Sequence, residues 1–399
     1  MFASFKSYIM SLPVKTKLRN ILIFTFMALI PTVLVWLPFM LKLKSFWGIP
    51  LPGVGMSSIV ANYDGPLFLV VSKTLYNFDL IRFNYSFPLP LEYYAAHFPL
   101  FPLLIRVFAF ALGYPYSMLF VTIVSSILAL YFFHKFISDY VDSKNAFWLT
   151  FVFSIFPARW LIVRSVGSAE PLFVASIIAS LYYFQKEKYW LAGIWGAVAT
   201  LTKSPGILLF ISYFASIIVP HLKKIALANF STFLKSLRLE KVFPLLLIPL
   251  SLLGVFILYK ILLNDFFAYF HSGDNIHLVF PPFSIFNYSA PWVGTFWLEE
   301  VIFIYLIGAM GIFKLFSLGK KDAAIFVTVF FATILFVSHR DLLRYSLPII
   351  PFLFGAFSET LIKKEFKYVI ILLLLPIYLF SLAFITNSIM PIGDWGPFL

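Results

Sequence analysis

The chain contains no cysteine among its 399 residues, which excludes a disulfide framework, a thiolate metal site and a catalytic thiol. Charge is also scarce. Only 12% of the residues are Asp, Glu, Lys or Arg, where a soluble domain carries about a quarter. Acidic residues are the fewest, 17 against 30 Lys and Arg, giving a net charge of +13. No Walker, Rossmann or kinase signature is present, so no nucleotide-binding unit is expected. No cleavable signal peptide is visible either. The first apolar run, 20–41, is too long for a signal h-region, and no A-x-A-like site follows it.

What fills the chain instead is apolar: 61% of residues, with 51 Phe. So much apolar surface has no place in water, and a bilayer is its natural solvent. Helices and closed barrels are the structures that span lipid. Barrel strands alternate apolar and polar positions over about 10 residues, whereas the runs here are continuous and about 15–25 long. The expected fold is therefore all-α, a polytopic transmembrane helical bundle of about eleven spans. They lie near 20–41, 115–136, 146–161, 171–185, 189–202, 205–220, 242–263, 297–316, 323–337, 344–360 and 368–386. A further apolar stretch, Phe98–Leu112, is short and Pro-rich and reads as interfacial or re-entrant.

The scarce charges are sorted. With the N-terminus placed in the cytoplasm, the linkers 137–145, 186–188, 221–241, 317–322 and 361–367 fall on the same side. Together with the N-terminus and the span ends, that side holds 19 of the 30 Lys and Arg, as the positive-inside rule expects. The basic excess thus reads as a topology signal and as attraction to anionic lipid, not as a nucleic-acid footprint. The other, outer side has a long first loop, 43–97, and a second long connection, 264–296, within one domain covering 1–399. Asp64, Glu92, His97, Asp265, His271, Asp274 and His277 lie there among many aromatic residues. Arg159, Arg164, Glu170, Lys203, His339, Arg340, Asp341 and Arg344 sit at outer span ends. An active site facing outward accounts for this sorting.

Five stretches are candidates for the chemistry. In Asn62-Tyr63-Asp64-Gly65-Pro66, an Asp before Gly-Pro sits naturally in a turn. Ionised, it only accepts hydrogen bonds, as a general base does; an Asx-turn that merely closes the loop is the alternative. In Ala96-His97-Phe98-Pro99 the His is a hydrogen-bonding or pH-sensitive group, against simple packing of an interfacial helix. Arg159, Arg164, Ser168 and Glu170 form a third cluster, in which the Arg side chains can snorkel and Glu170 can favour a helix N-terminus. Lys203, in Thr202-Lys203-Ser204-Pro205-Gly206, interrupts two apolar segments. A cation there faces a polar cavity or partner, where it binds phosphate, unless it snorkels. In Ser338-His339-Arg340-Asp341-Leu342-Leu343-Arg344-Tyr345, Arg340 and Arg344 share a face if the turn is helical and can hold one phosphate; an Arg344–Asp341 salt bridge is the alternative. His271, Asp274 and His277 come nearest to a metal set, but Gly273 and Asn275 make that segment a loop.

At four of these places the chain resembles the GT-C glycosyltransferases, and among them the family of the second mannosyltransferase of glycosylphosphatidylinositol synthesis (PIG-V) and its prokaryotic relatives. The stretches are Asp64-Gly65, His97-Phe98-Pro99-Leu100-Phe101-Pro102-Leu103, Ser168-Ala169-Glu170-Pro171-Leu172-Phe173 and Ala199-Thr200-Leu201-Thr202-Lys203-Ser204-Pro205-Gly206. The chain departs from that family's pattern in three ways: His97 stands for a Phe, Ala169 interrupts Ser-Glu, and Lys203 replaces Arg. The resemblance implies a membrane glycosyltransferase, in this family a mannosyltransferase. Such an enzyme moves a sugar, with inversion, from a polyprenyl-phosphate-linked donor to a lipid or glycan acceptor on the outer face. It implies Asp64 as catalytic base and Arg340, Arg344 and Lys203 as donor phosphate-binding cations. Tyr63, His97, Arg164, Glu170 and His339 are substrate-binding or supporting residues. No cofactor is implied, and a divalent metal is left open. The expected setting is multi-pass: the plasma membrane of a prokaryote or the endoplasmic reticulum of a eukaryote. A lipid-linked-sugar flippase or other transporter is the alternative; it calls for charges in mid-span and an internal repeat of topology, and neither is seen.

Overall fold

The computed structural model describes residues 2–86, 89–219, 242–273, 277–287 and 298–399, with side chains from Leu18 onward. The basic linker 221–241 and Asp274, the middle residue of the candidate metal set, lie outside the described residues. The described chain is a helical bundle whose one small sheet is a hairpin, Ser45–Phe46 paired with Ile49–Pro50.

The helices follow the apolar runs because a backbone in lipid must satisfy its own hydrogen bonds. They are α1 (Phe2–Met40), α2 (Gly65–Thr74), α3 (Leu100–Leu112), α4 (Tyr114–Ile137), α5 (Ser143–Ile155), α6 (Ala158–Val163) and α7 (Glu170–Gln185). After them come α8 (Tyr189–Thr202), α9 (Leu208–Ile218), α10 (Leu247–Leu263), α11 (Leu298–Ser317) and α12 (Lys321–Ile334). The last three are α13 (Leu342–Ser346), α14 (Ile350–Ala356) and α15 (Lys364–Asn387). Each of the eleven expected segments is largely helical over its described residues, but 146–161 is split at Phe156-Pro157 into α5 and α6, and 344–360 is a run of short helical pieces. Among the described residues, five helices are long and apolar enough to cross a bilayer unaided: Leu18–Met40, Tyr114–Ile137, Phe243–Leu263, Leu298–Ser317 and Lys364–Asn387. Except for Tyr114–Ile137, each is less than a third buried. Side chains such as Phe26, Ile30, Leu372 and Phe313 are left facing outward, where lipid covers them.

At the centre stands α7, in which every residue from Glu170 to Leu181 is buried. A helix that is apolar all round belongs inside, and its first residue brings one acid into the interior. Against it packs α8, and α8 in turn meets the start of the 242–263 helix across Gly193 and Gly196. A Cβ on Gly193 would lie 2.2 Å from the Pro244 carbonyl oxygen, so this close helix approach tolerates no side chain there. The short stretch Phe98–Leu112 forms α3, which lies along the first half of α4, with Phe108 against Phe120 at 5.0 Å. It leaves Val107 and Phe110 exposed, as an apolar face does at a membrane surface.

The charge sorting has a spatial counterpart. At one end Lys186 pairs with Asp139 at 2.8 Å, Lys320 Nζ donates to the Asp139 carbonyl at 3.0 Å, and Lys314 pairs with Glu359 at 3.3 Å. Trp148 donates to the Leu361 carbonyl there at 3.0 Å. The linkers 137–145, 186–188, 317–322 and 361–367 thus meet at one end. At the opposite end Met390 N–H bonds the Ala61 carbonyl and Val279 N–H that of Phe336, both at 2.8 Å. Tyr85 donates to the Pro397 carbonyl there at 3.0 Å.

The absence of native cysteine makes the topology directly testable. Single variants Asn84→Cys and Lys321→Cys, at exposed positions on opposite ends, are expected to react with a membrane-impermeant maleimide from opposite sides of intact cells. Labelling of both from one side would contradict the bundle.

Candidate active site

The turn before α2 is built to present Asp64. Tyr63 takes a left-handed backbone, φ 50°, which is uncommon for a bulky side chain and typical of functional turns. Gly65 follows because a Cβ there would lie 2.5 Å from the Val60 carbonyl oxygen. Asp64 stands at the N-cap of α2 but makes no capping hydrogen bond. Its carboxylate instead accepts from Arg344 Nη2 at 2.6 Å. The Asx-turn alternative is thereby set aside.

Arg344 reaches Asp64 from α13 and Glu170 from the same guanidinium: its Nε donates to Glu170 Oε1 at 2.6 Å. Glu170 also accepts from the Ser168 hydroxyl and from Lys203 Nζ. Ala169 therefore does not prevent Ser168 from reaching the acid. Lys203 sits at an extended break, φ −152°, ψ 140°, between α8 and the turn Ser204–Ile207. That break lets its side chain turn inward from a helix end. Two carboxylates and two cations thus balance within one network. Glu170 is 4% exposed and Arg344 13%, against 31% for Asp64 and 30% for Lys203, so the last two are the network's accessible members.

Burial alone would raise the Asp64 pKa, but Arg344, with His97 and Lys203, outweighs it and holds the carboxyl below its ordinary value. His97 is buried beside it, and burial keeps its imidazole below the usual range despite the Asp64 charge. His339 is pushed down to about 4 by burial, by His277 and by Arg344. Its Nδ1 accepts the Asp341 N–H at 2.9 Å, so the neutral ring carries its proton on Nε2. The His277 and His339 rings lie 4.3 Å apart.

These groups line a cavity of about 430 Å³. Its charged and imidazole lining is Asp64, His97, Glu170, Lys203, His277, His339 and Arg344; its remaining wall includes Phe68, Phe173, Leu208, Leu252, Phe256 and Phe330. Tyr269, on the wall, holds Ser204 through its hydroxyl at 2.7 Å. An ionised carboxylate, two convergent cations and neutral imidazoles can accept a proton and hold an anion together.

Several expectations are placed differently. Arg340 is exposed and does not line the cavity. The helix begins only at Leu342, with Asp341 outside helical geometry at φ −101°, ψ 43°, so Arg340 and Arg344 share no helical face. The Arg344–Asp341 salt bridge is not formed either; Asp341 pairs with Arg159, 3.0 Å away. Arg164 is fully buried and donates to the Ala28 carbonyl at 2.6 Å, tying α6 to α1 away from the cavity. His271 turns to Asp265 at 2.6 Å, while the His277 ring lies tilted against that of His339. Among the described residues no group of three or more His, Asp or Glu could hold a metal ion. His277, expected only as a member of the nearest metal set, lines the cavity instead, and so does Tyr269, which no motif marks.

No family model and no curated protein matches the sequence. Among solved structures the chain is similar to ArnT from Cupriavidus metallidurans bound to undecaprenyl phosphate, with a TM-score of 0.54 and 12% identity. The match covers 88% of this chain and 62% of ArnT, so this chain spans less than two thirds of that protein's length. At this identity the likeness is one of fold: both chains are bundles of membrane helices.

Arg344→Met would leave two buried carboxylates with Lys203 as their remaining close cation. Removing one partner of a buried pair costs about 3–5 kcal/mol. The expected result is a lower thermal midpoint in detergent, largely restored by Arg344→Met with Glu170→Gln. An Arg344→Met protein as stable as its parent would show that the network contributes nothing to stability.

Proposed function

We propose that the protein is a membrane glycosyltransferase. It would transfer a sugar from a polyprenyl-phosphate-linked donor to a hydroxyl of a lipid or glycan acceptor, at the end of the bundle bearing Asp64 and with inversion at the anomeric carbon. One observation carries this reading: a single guanidinium, Arg344, bridges Asp64 and Glu170 in a cavity whose remaining lining is mostly apolar and aromatic. An amphipathic donor with a phosphate and a long isoprenoid chain matches that division.

In the proposed step the acceptor oxygen attacks the anomeric carbon while its proton passes to the Asp64 carboxylate. The bond from that carbon to the phosphate oxygen breaks, and its electron pair stays on the phosphate. The leaving anion is received by Arg344 and Lys203. Glu170 holds both cations until then and orients them. A phosphate that draws Arg344 towards itself also relieves Asp64 of the charge that weakens it as a base. Donor binding and base activation are coupled in this way. His97 and His339, both neutral, are placed to hydrogen-bond sugar or acceptor hydroxyls. Mannose and a plasma-membrane or endoplasmic-reticulum setting are what the sequence resemblance suggests, and the basic linkers at the far end support an outward-facing site. Every charged residue lining the cavity lies at a helix end or in a connection, which favours transfer at a surface over carriage through mid-membrane.

Purified protein supplied with a panel of radiolabelled polyprenyl-phosphate sugars is expected to transfer one of them. Asp64→Asn should lower kcat by about 10²-fold or more, the usual range for a lost general base, with undecaprenyl phosphate binding retained. Transfer by Asp64→Asn at the parental rate would remove Asp64 from the mechanism. Movement of lipid-linked sugar across liposomes without transfer would instead identify a transporter.

The pH dependence has a definite sign. Asp64 must be ionised to act, and in the free protein its pKa lies below the ordinary 3.8. kcat/KM is therefore expected to stay flat as pH falls, until below that value. kcat, measured with donor drawing on Arg344, should begin to fall at a higher pH. Coincident acid limbs would show that Arg344 does not shift between Asp64 and the donor.

A further inference from the structure

Behind the cavity lies a second buried charge pair that the proposed chemistry leaves unused. Arg159 on α6 and Asp341 at the start of α13 are each 10% exposed, with Arg159 Nε 3.0 Å from Asp341 Oδ1. Neither lines the cavity, and neither does Tyr63. Yet the three form a chain leading to it. Arg159 Nη1 donates to the Tyr63 hydroxyl at 2.9 Å, and the Tyr63 ring lies beneath the Arg344 guanidinium, 4.5 Å from its centre. The Arg159 guanidinium is itself seated 3.6 Å from the Phe384 ring centre, and Tyr63 stacks on that same ring. Asp341 closes the circle through the backbone, its carbonyl accepting the Arg344 N–H at 3.0 Å.

Isolating a charge pair of this kind in an apolar interior is costly, and apolar residues of similar size often pack there as well or better. Its geometry gives it a use. A guanidinium over an aromatic face has one firm support, and Tyr63 is held at both ends, by its left-handed backbone and by Arg159 at its hydroxyl. We infer that Arg159, anchored by Asp341, is a positioning residue that acts through Tyr63 to set where Arg344 presents its guanidinium to Asp64, Glu170 and an incoming phosphate. For the phosphate, this rests on the proposed transfer reaction.

The test uses the full chain in detergent, with undecaprenyl phosphate binding, steady-state transfer kinetics and thermal midpoint measured together. Arg159→Met alone strands a buried Asp341, so Arg159→Met with Asp341→Asn, which removes both charges, is the informative variant. It is expected to fold, yet to lower kcat about tenfold and to weaken undecaprenyl phosphate binding by a similar factor, with the acceptor KM unchanged. Tyr63→Phe, which keeps the ring and loses the hydroxyl, should show the same pattern. Combining it with the charge-free pair should cost no more than the worse of the two, because both cut one chain. A folded charge-free pair with parental binding and kcat would overturn the inference, and so would fully additive losses. If the parent protein transfers no sugar but these variants still weaken undecaprenyl phosphate binding, the transfer reading fails and the positioning role stands.

Discussion

The arrangement depends on one guanidinium shared by two acids. Arg344 meets Asp64 from 280 residues away in sequence and Glu170 from 174. Without cations, two carboxylates brought together in a site poor in water could not both stay ionised. With Arg344 and Lys203 between them they can, and attraction across so short a distance is strong where water is excluded. The network can form only once the turn before α2, the start of α7 and the start of α13 are docked together. It is therefore both the centre of the proposed site and the join of three distant segments.

The bilayer sets the frame around it. Charge is disfavoured along lipid-facing helices and tolerated at their ends or in lined cavities. The helices accordingly turn Phe, Leu and Ile outward, and the charged residues gather at two opposite ends. One end is closed by Lys–acid pairs between short linkers, a compact basic cap. The other carries the longer connections, and a cavity there is lined by the charged and imidazole side chains together with many apolar ones. The proposed reaction uses both kinds: an anion and a proton acceptor at the polar groups, and room for a hydrocarbon tail against Phe68, Phe173 and Phe256.

Much of this was legible in the sequence. The eleven apolar runs are largely helical where described, and of the linkers grouped by charge 137–145, 186–188, 317–322 and 361–367 do meet in space. Asp64, Glu170, Lys203 and Arg344 were each visible as a charge at the edge of an apolar segment, and all four converge. What was not legible is who pairs with whom. Asp341, three residues from Arg344, is turned to Arg159 because the α13 helix starts after it. Arg340 is left outside for the same reason. Arg164, outwardly like Arg159 in its setting, is consumed by the carbonyl of Ala28 on α1. The wall residue Tyr269 sits in a connection without periodicity or motif, and His277 stood out there only by its spacing from His271 and Asp274.

The sequence by itself determined that this is a helical membrane protein, where its helices run, and on which end its reactive groups stand. Those properties follow from local hydropathy and from the cost of charge in lipid, and both are read residue by residue. Only the tertiary structure decided that Asp64 and Glu170 share one arginine, that Lys203 joins them, and that a second pair braces Tyr63 behind. Salt bridges between residues so far apart in sequence depend on how helices cross, on close approaches such as that at Gly193, and on where a helix begins. A short stretch of chain carries no record of the partner it will meet, because that partner is fixed by the packing of the whole bundle.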